Sequence, residues 1–196
     1  MIARIRGEVA ETGPGYVVVF ASGVGYQVFV TERTLATVPS IGGQVDLCTR
    51  QIVREHEIAL FGFVSTSERR LFDLLTTVNG LGPRLALSLI GAVGEEGVVG
   101  AILSGDYKPL VRAQGIGAKL AQRICVELAD KIREESLLGR IGVGSKSPLE
   151  DVVEALVSLG IKRTEAERAA KQAGEDAETD DTAELVSRAL KFAGKN

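Results

Sequence analysis

Two stretches of the chain are written almost identically. VNGLGPRLALSLI, residues 78–90, and AQGIGAKLAQRIC, residues 113–125, superpose at an offset of 35 residues. Gly80 falls on Gly115, Leu81 on Ile116, Gly82 on Gly117 and Arg84 on Lys119, and a Leu-Ala pair follows the base in both. An internal repeat constrains the fold before any other signal is weighed, because each copy has to build the same supersecondary unit. In each copy an apolar helical run stops at Gly-aliphatic-Gly, and a second helix starts at the base. This pattern predicts a helix-hairpin-helix. Glycine tolerates positive φ and lets a backbone approach another molecule closely. The first amides of the following helix lack intrahelical partners and point outward at the positive end of its dipole, where a phosphate oxygen can accept from them.

The candidate binding set follows residue by residue. Asn79, Gly80, Leu81, Gly82 and Arg84 form it in the first copy, and Gly115, Ile116, Gly117 and Lys119 in the second, with Arg123 one turn further on. Leu81 and Ile116 are expected to pack inward and hold the turns, while Arg84 and Lys119 add charge beside the amides. Arg123 faces outward relative to Leu120, Ile124 and Leu128, either as a further phosphate contact or as part of a solvated helix face. One Gly-x-Gly could be no more than a turn. Two copies with matched bases, separated by the helical run EEGVVGAILSGD, point to phosphate binding. Such a site holds the nucleic-acid backbone and does not read bases. Acidic and basic residues nearly balance across residues 64–142, unlike many nucleic-acid binders, but capture by backbone amides needs few cations.

The flanks predict an α+β multidomain chain. Residues 1–63 read as five short strands with turn signals such as ETGPG and SGVG between them, and TERTLATVP after the third reads as a short helix capped by Thr31. This is the pattern of a five-stranded β-barrel of the oligonucleotide-binding (OB) type. Residues 64–135 form the all-α tandem of hairpins, opening with the capping box Ser65/Glu68. Residues 136–147, rich in glycine and serine, are expected to be a flexible linker. Residues 148–196 predict a small three-helix bundle, whose helices are announced by Ser147/Glu150, Thr164/Glu167 and Asp181/Glu184.

Several classes are argued against. No apolar run approaches membrane-spanning length, and the N-terminus carries an arginine inside its first apolar pattern, so neither a membrane protein nor a secretory leader is expected and the chain is assigned to the cytoplasm. Cys48 and Cys125 are far apart and His56 is the sole histidine, so free thiols are expected and no metal or other cofactor. GRIGVGSKS misses a P-loop, because Ser145 stands where glycine must precede the lysine and no strand leads into it. A glycosylase needs an aspartate beyond the second hairpin, and Asp130 comes too early. A non-catalytic binder is left. The alternative within that class is a single-strand or general DNA-backbone binder using the barrel, since six of the nine aromatics lie in residues 1–63: Tyr16, Phe20, Tyr26, Phe29, Phe61 and Phe63. Too few cations accompany them for a backbone groove, and core packing or subunit contacts account for them better.

Over its full length the chain resembles the RuvA family of Holliday-junction recognition subunits. The barrel ending in LFGF, the hairpins NGLGPRLAL and GIGAKLAQRI, the Gly/Ser linker and the terminal ALVSLGI come in that family's order. The resemblance implies a homotetramer whose barrels form a hub and whose hairpins hold four DNA arms at their minor grooves, with one or two tetramers on a junction. It also implies that the terminal bundle binds RuvB, the ATP-driven motor held in a separate chain, and that RuvC, the resolvase, works in the same complex. By resemblance the turn REHE becomes an acidic pin that steers strands at the hub centre. Here Glu55 fits its first acidic position, but His56 replaces the second. Gln114 stands where the family usually has proline, and Ala118 where it often has lysine. Leu156, Leu159 and Ile161, and more loosely Leu190, fit the motor-contacting positions, with bundle core as the other reading for these residues.

Overall fold

The structure is a computed structural model that describes residues 1–55, 57–141, 152, 153, 155–157, 161, 163–175 and 182–193. The chain divides into two units, residues 1–143 and 144–196. In the first, β1 (Arg4–Gly13), β2 (Tyr16–Ala21), β3 (Val24–Phe29), β4 (Gln44–Arg54) and β5 (Glu57–Phe63) close a barrel in the order β1-β2-β3-β5-β4. Alternation drives it: Ile5, Val9, Val17, Val19, Val28, Val45, Leu47 and Leu60 point inward and form one core. A bulge between Val9 and Glu11 bends β1 as it passes from one neighbour to the other. Between β3 and β4, helix α1 (Glu32–Thr37) starts where expected, with the Thr31 hydroxyl accepting from the Thr34 amide at 3.0 Å.

Strand β5 joins the barrel to the helices. Leu60 faces the barrel interior, where Gly62 leaves no room for a side chain: a Cβ there would come 2.5 Å from Val28 Cγ1. The alternate residues Ala59, Phe61 and Phe63 face the other way and enter the helical core. Phe29, Phe61, Phe72 and Phe63 form a chain of tilted ring contacts with centroids 5.0 to 5.8 Å apart. Each fully buried phenylalanine contributes about 1.5–3 kcal/mol over an exposed one, so LFGF cements two layers as well as closing a barrel.

Helices α2 (Thr66–Leu75), α3 (Pro83–Val93), α4 (Glu95–Ser104) and α5 (Ala118–Leu137), with a 3-10 turn at Leu110–Arg112, make the second layer. The α2 cap forms as expected on one side, the Ser65 hydroxyl accepting from the Glu68 amide at 3.0 Å. Glu68 reaches back one residue further than a capping box requires and accepts from the Val64 amide, and its burial pushes its carboxyl above the ordinary range. Polar ties reinforce the aromatic seam: Arg50 of β4 forks onto Asp73 of α2, and Arg33 of α1 donates to the Gly91 carbonyl in α3 at 3.1 Å. Arg70 of α2 forks onto Glu135 of α5 at 2.5 and 2.6 Å, which holds the Glu135 carboxyl below its ordinary range.

Among the described residues no single helix is long and apolar enough to cross a membrane, and the apolar pair α3 and α4 is bent by 96°. Cys48 and Cys125 are free, the latter buried against the Ala101 carbonyl, and burial raises its thiol pKa. The start of the expected linker is structured: α5 continues through Ser136 and Leu137, and Ile141 is buried in the helical core. Residues 142–147 of that linker lie outside the described residues.

In the second unit, residues 152, 153 and 155–157 are helical and precede α6 (Arg163–Glu175) and α7 (Thr182–Ala193). Their core is Val152, Val153, Leu156, Ala166, Ala169, Ala170, Ala173, Leu185 and Ala189. Helix α6 begins at Arg163, so Thr164 sits inside its first turn and is not the cap that the Thr164/Glu167 spacing suggested. The caps expected at Ser147 and Asp181 fall outside the described residues.

Candidate nucleic-acid interface

The two repeats fold into turns of matching geometry. Gly80 and Gly115 adopt φ of +87° and +86°. The amides of Leu81 and Ile116 close each turn onto the carbonyls of Val78 and Ala113, both at 3.1 Å. Leu81 and Ile116 are buried, as the repeat predicts. Gly82 and Gly117 then act as helix N-caps in extended conformation, φ −71° and −88°, with no side chain capping either helix. A Cβ on either would meet nothing within 4 Å. The two glycines of each pair therefore serve different ends: the first is required by the backbone, and the second leaves open space in front of unpaired amides.

The hairpins also pack on one another through reciprocal contacts. A Cβ on Gly80 would approach Leu120 at 3.8 Å, and one on Gly115 would meet Leu85, the repeat-equivalent of Leu120, at 2.7 Å. Arg123 lies where a phosphate contact was expected, but its guanidinium donates to the Asn79 carbonyl at 3.1 Å and stands 3.8 Å from Glu127. It thus ties α5 to the turn of the first hairpin. The brace is unsymmetrical in one respect. Pro83 occupies the first position of α3 and has no N–H, whereas Ala118 keeps its own at the start of α5.

The second hairpin departs from the expected helical run ahead of its glycines. Helix α4 ends at Gly105, in left-handed conformation at φ +72°, and the chain re-enters through the 3-10 turn alone. Pro109 accounts for this, since the residue before a proline is driven from helical conformation.

The matched bases diverge in the structure. Lys119 is exposed, and among the described residues no hydrogen bond or ion pair engages it. Arg84 lies over the Phe29 ring, its guanidinium carbon 3.5 Å from the centroid, and its Nη2 is 3.6 Å from Glu57 Oε1. Phe29, read from sequence as core or a subunit contact, is thus the seat of a cation. The usable signal was the residue type, because the planar guanidinium of arginine packs over aromatic faces more often than the ammonium of lysine.

The turn expected to be the pin joins β4 to β5 beyond the register pair Arg54–Glu57 and carries Glu55, exposed. His56 lies outside the described residues. Val53 and Ile58, paired across this hairpin, are 66% and 69% exposed, an apolar surface that strand alternation alone did not flag. Of the expected motor contacts, Leu156 is fully buried in its unit's core, Ile161 is partly buried against it and Leu190 is 40% exposed. Leu159 lies outside the described residues. Val157 and Phe192, each 39% exposed, add apolar surface that the motif did not mark. Among the described residues no group of three histidines, cysteines or carboxylates could hold a metal ion.

Comparison with known proteins agrees with this arrangement. A family model described as the RuvA N terminal domain matches residues 1–62, one described as a SAM-like helix-hairpin-helix tandem matches 72–130, and one described as the RuvA C-terminal domain matches 147–194. The chain is 39% identical over 201 residues to a protein of Nocardia farcinica named Holliday junction branch migration complex subunit RuvA, with 100% of both chains covered. Proteins of the same name from Acidobacterium capsulatum and Gloeobacter violaceus are 38% identical over 194 residues and 42% over 177, covering 96% and 86% of this chain and 97% and 86% of theirs. With matches to both terminal domains, the central tandem and full-length relatives, the chain belongs to the RuvA family.

Proposed function

We infer that the chain binds four-way DNA junctions through their phosphate backbones, without reading sequence, as the DNA-binding subunit of a RuvA–RuvB branch-migration complex. It is non-catalytic, and the ATPase is RuvB, a separate chain. The observation that carries this reading is the pair of equivalent turns, each with an open extended glycine before unpaired helix amides, packed on one another by reciprocal contacts. Two antiparallel backbones of one duplex arm suit two such turns. Gly82, Gly117 and Lys119 face the phosphates, Asn79, Gly80, Leu81, Gly115 and Ile116 shape the turns, and Arg123 braces them. Four arms then call for four chains, which supports a homotetramer with the barrels as hub, and a second tetramer can cover the opposite face. Exposed Phe20 and Ile41 on the barrel supply apolar surface for subunit contacts.

Glu55 and His56, at the β4–β5 turn, act as the pin at the hub centre, and RuvC acts on the junction held there. The second unit docks the motor. With Leu156 committed to its core, the contact falls to Val157, Ile161, Leu190 and Phe192, with Leu159 beside them in sequence. DNA as the substrate puts the protein in the cytoplasm. The single-strand reading is weakened, because Phe61 and Phe63 are buried and Arg84 covers Phe29, which leaves only Tyr16, Phe20 and Tyr26 of the six barrel aromatics with exposed surface.

Titration of a four-way junction and a linear duplex of equal length at matched salt tests the reading. A junction engages every pair of hairpins at once and is expected to bind about a hundredfold more tightly. Equal affinities would remove the junction assignment.

A further inference from the structure

We propose that the groove between α3 and the 3-10 turn is a further subsite for a DNA backbone phosphate, with Arg112 as its cation. The proposal rests on the backbone-binding reading and adds a contact that the repeat does not mark.

Many cations of the first unit are spent within the fold. Arg4, Arg50 and Arg70 are held by carboxylates, and Arg33 and Arg69 donate to backbone carbonyls. Arg112 is exposed, and among the described residues its guanidinium makes no hydrogen bond or ion pair. It ends the 3-10 turn that stands in place of a helix ahead of the second pair of glycines. At the offset of the repeat its counterpart is Thr77, whose hydroxyl donates to the Leu74 carbonyl at 2.7 Å. The first copy has no cation here, so matching the copies passes over Arg112.

The 3-10 turn packs beside α3, and an open groove of about 570 Å³ lies between them and the start of α1. Arg84 and Ser88 of α3 line it, with Arg112 and Gln114 of the second hairpin and Thr31 and Glu32 of the α1 end. The groove reaches both hairpins: Arg84 is two residues past the open cap Gly82, and Gln114 directly precedes Gly115. A backbone lying on the open glycines therefore continues along its rim.

Charge selects the occupant. Glu32 is the one carboxylate on the groove, against two guanidinium groups, of which Arg84 is engaged by Phe29 and Glu57. Arg112 is left as the available cation, with the Ser88 hydroxyl and the Gln114 amide as neutral donors on the same walls. A phosphodiester carries one negative charge shared by two free oxygens, which the edge of a guanidinium holds in a fork.

Arg112→Gln and Ser88→Asp test this in the full chain, with Lys108→Gln alongside as a charge control. Lys108 is exposed on the same segment but lies outside the groove. Each variant is titrated with a four-way junction and a linear duplex at two salt concentrations, and its mass in solution is measured. Arg112→Gln is expected to weaken binding of both DNAs about threefold to tenfold and to flatten the salt slope by about 0.9 for each phosphate it neutralises. Ser88→Asp puts a like charge beside the phosphate and is expected to weaken both by at least as much, whereas Lys108→Gln costs less than about twofold. A wild-type slope in Arg112→Gln overturns the proposal, and so does an equal loss in Lys108→Gln, which would be the effect of net charge alone. A changed mass with a wild-type slope would make the groove a contact between chains and overturns it too. Ser88→Asp, at an exposed site, decides alone if Arg112→Gln melts below the assay temperature. Failure of the backbone reading shows separately, as a wild-type protein that binds neither DNA, and removes the proposal with it.

Discussion

At the scale of the residue, the structure separates glycines that the sequence presents as equals. Gly80 and Gly115 stand at positive φ, where most other residues are strained by about 1–2 kcal/mol, and at Gly115 a Cβ would also displace the end of the Leu85 side chain, 2.7 Å away. Gly82 and Gly117 have ordinary backbone angles and open surroundings. Gly80→Ala and Gly115→Ala are therefore expected to lower the melting temperature, Gly115→Ala by more. Gly82→Val and Gly117→Val should leave stability within about 1 kcal/mol of wild type yet weaken junction binding at least tenfold, because their side chains occupy the space a phosphate needs. Melting curves alongside junction titrations check this, and a cap variant that binds normally would mean that no backbone approaches there. Residue spacing located these glycines because turn chemistry is local. It could not say which of the two the ligand needs, since that depends on dihedral angles and on space created by distant chain.

At the scale of the element, two of the four cations on α5 stand in different surroundings. Lys119 projects freely at its start, and Arg123 one turn on is tethered to the Asn79 carbonyl. Lys119→Gln is expected to flatten the salt dependence of DNA binding by about 0.9 for each phosphate that the lysine neutralises. Arg123→Gln should weaken binding with the salt slope nearly unchanged, as a loosened brace and not a missing counter-charge. A slope that falls equally in both would identify Arg123 as a direct contact. The elements themselves were legible: strand alternation, the Thr31 and Ser65 caps and the helical period of α5 are written in neighbouring residues. Less legible was LFGF, whose Phe61 and Phe63 read as barrel aromatics, because alternation tells which residues share a face and not what covers it. The same limit hid the seat of Arg84 on Phe29, a contact made by residues 55 positions apart in the chain. The second hairpin lost its first helix to Pro109, a local signal overridden in the reading by the strength of the repeat.

At the scale of the whole molecule, the barrel and the hairpin tandem form one unit and residues 144–196 another. Deleting 144–196 should leave junction affinity unchanged and abolish stimulation of RuvB-driven branch migration. A truncated protein that still drives the motor would place that contact on the first unit. The Gly/Ser-rich stretch marked the break between the two units, whereas the barrel and the tandem, read as separate domains, cluster as one; the buried Leu156 shows why a motif alone cannot assign a docking surface, since small helical units use the same leucines for core and for contact. A last consequence follows from Pro83. The two turns are alike in shape, yet one begins its helix with an imino acid and the other with an amide donor. If each turn holds one phosphate backbone, strands of opposite polarity would be held with unequal strength, and four copies arranged head to tail would repeat that inequality in the same rotational sense. Such an assembly would give the junction a handedness at its rim, and the two strands of each arm would slide against unequal friction when a motor draws them through.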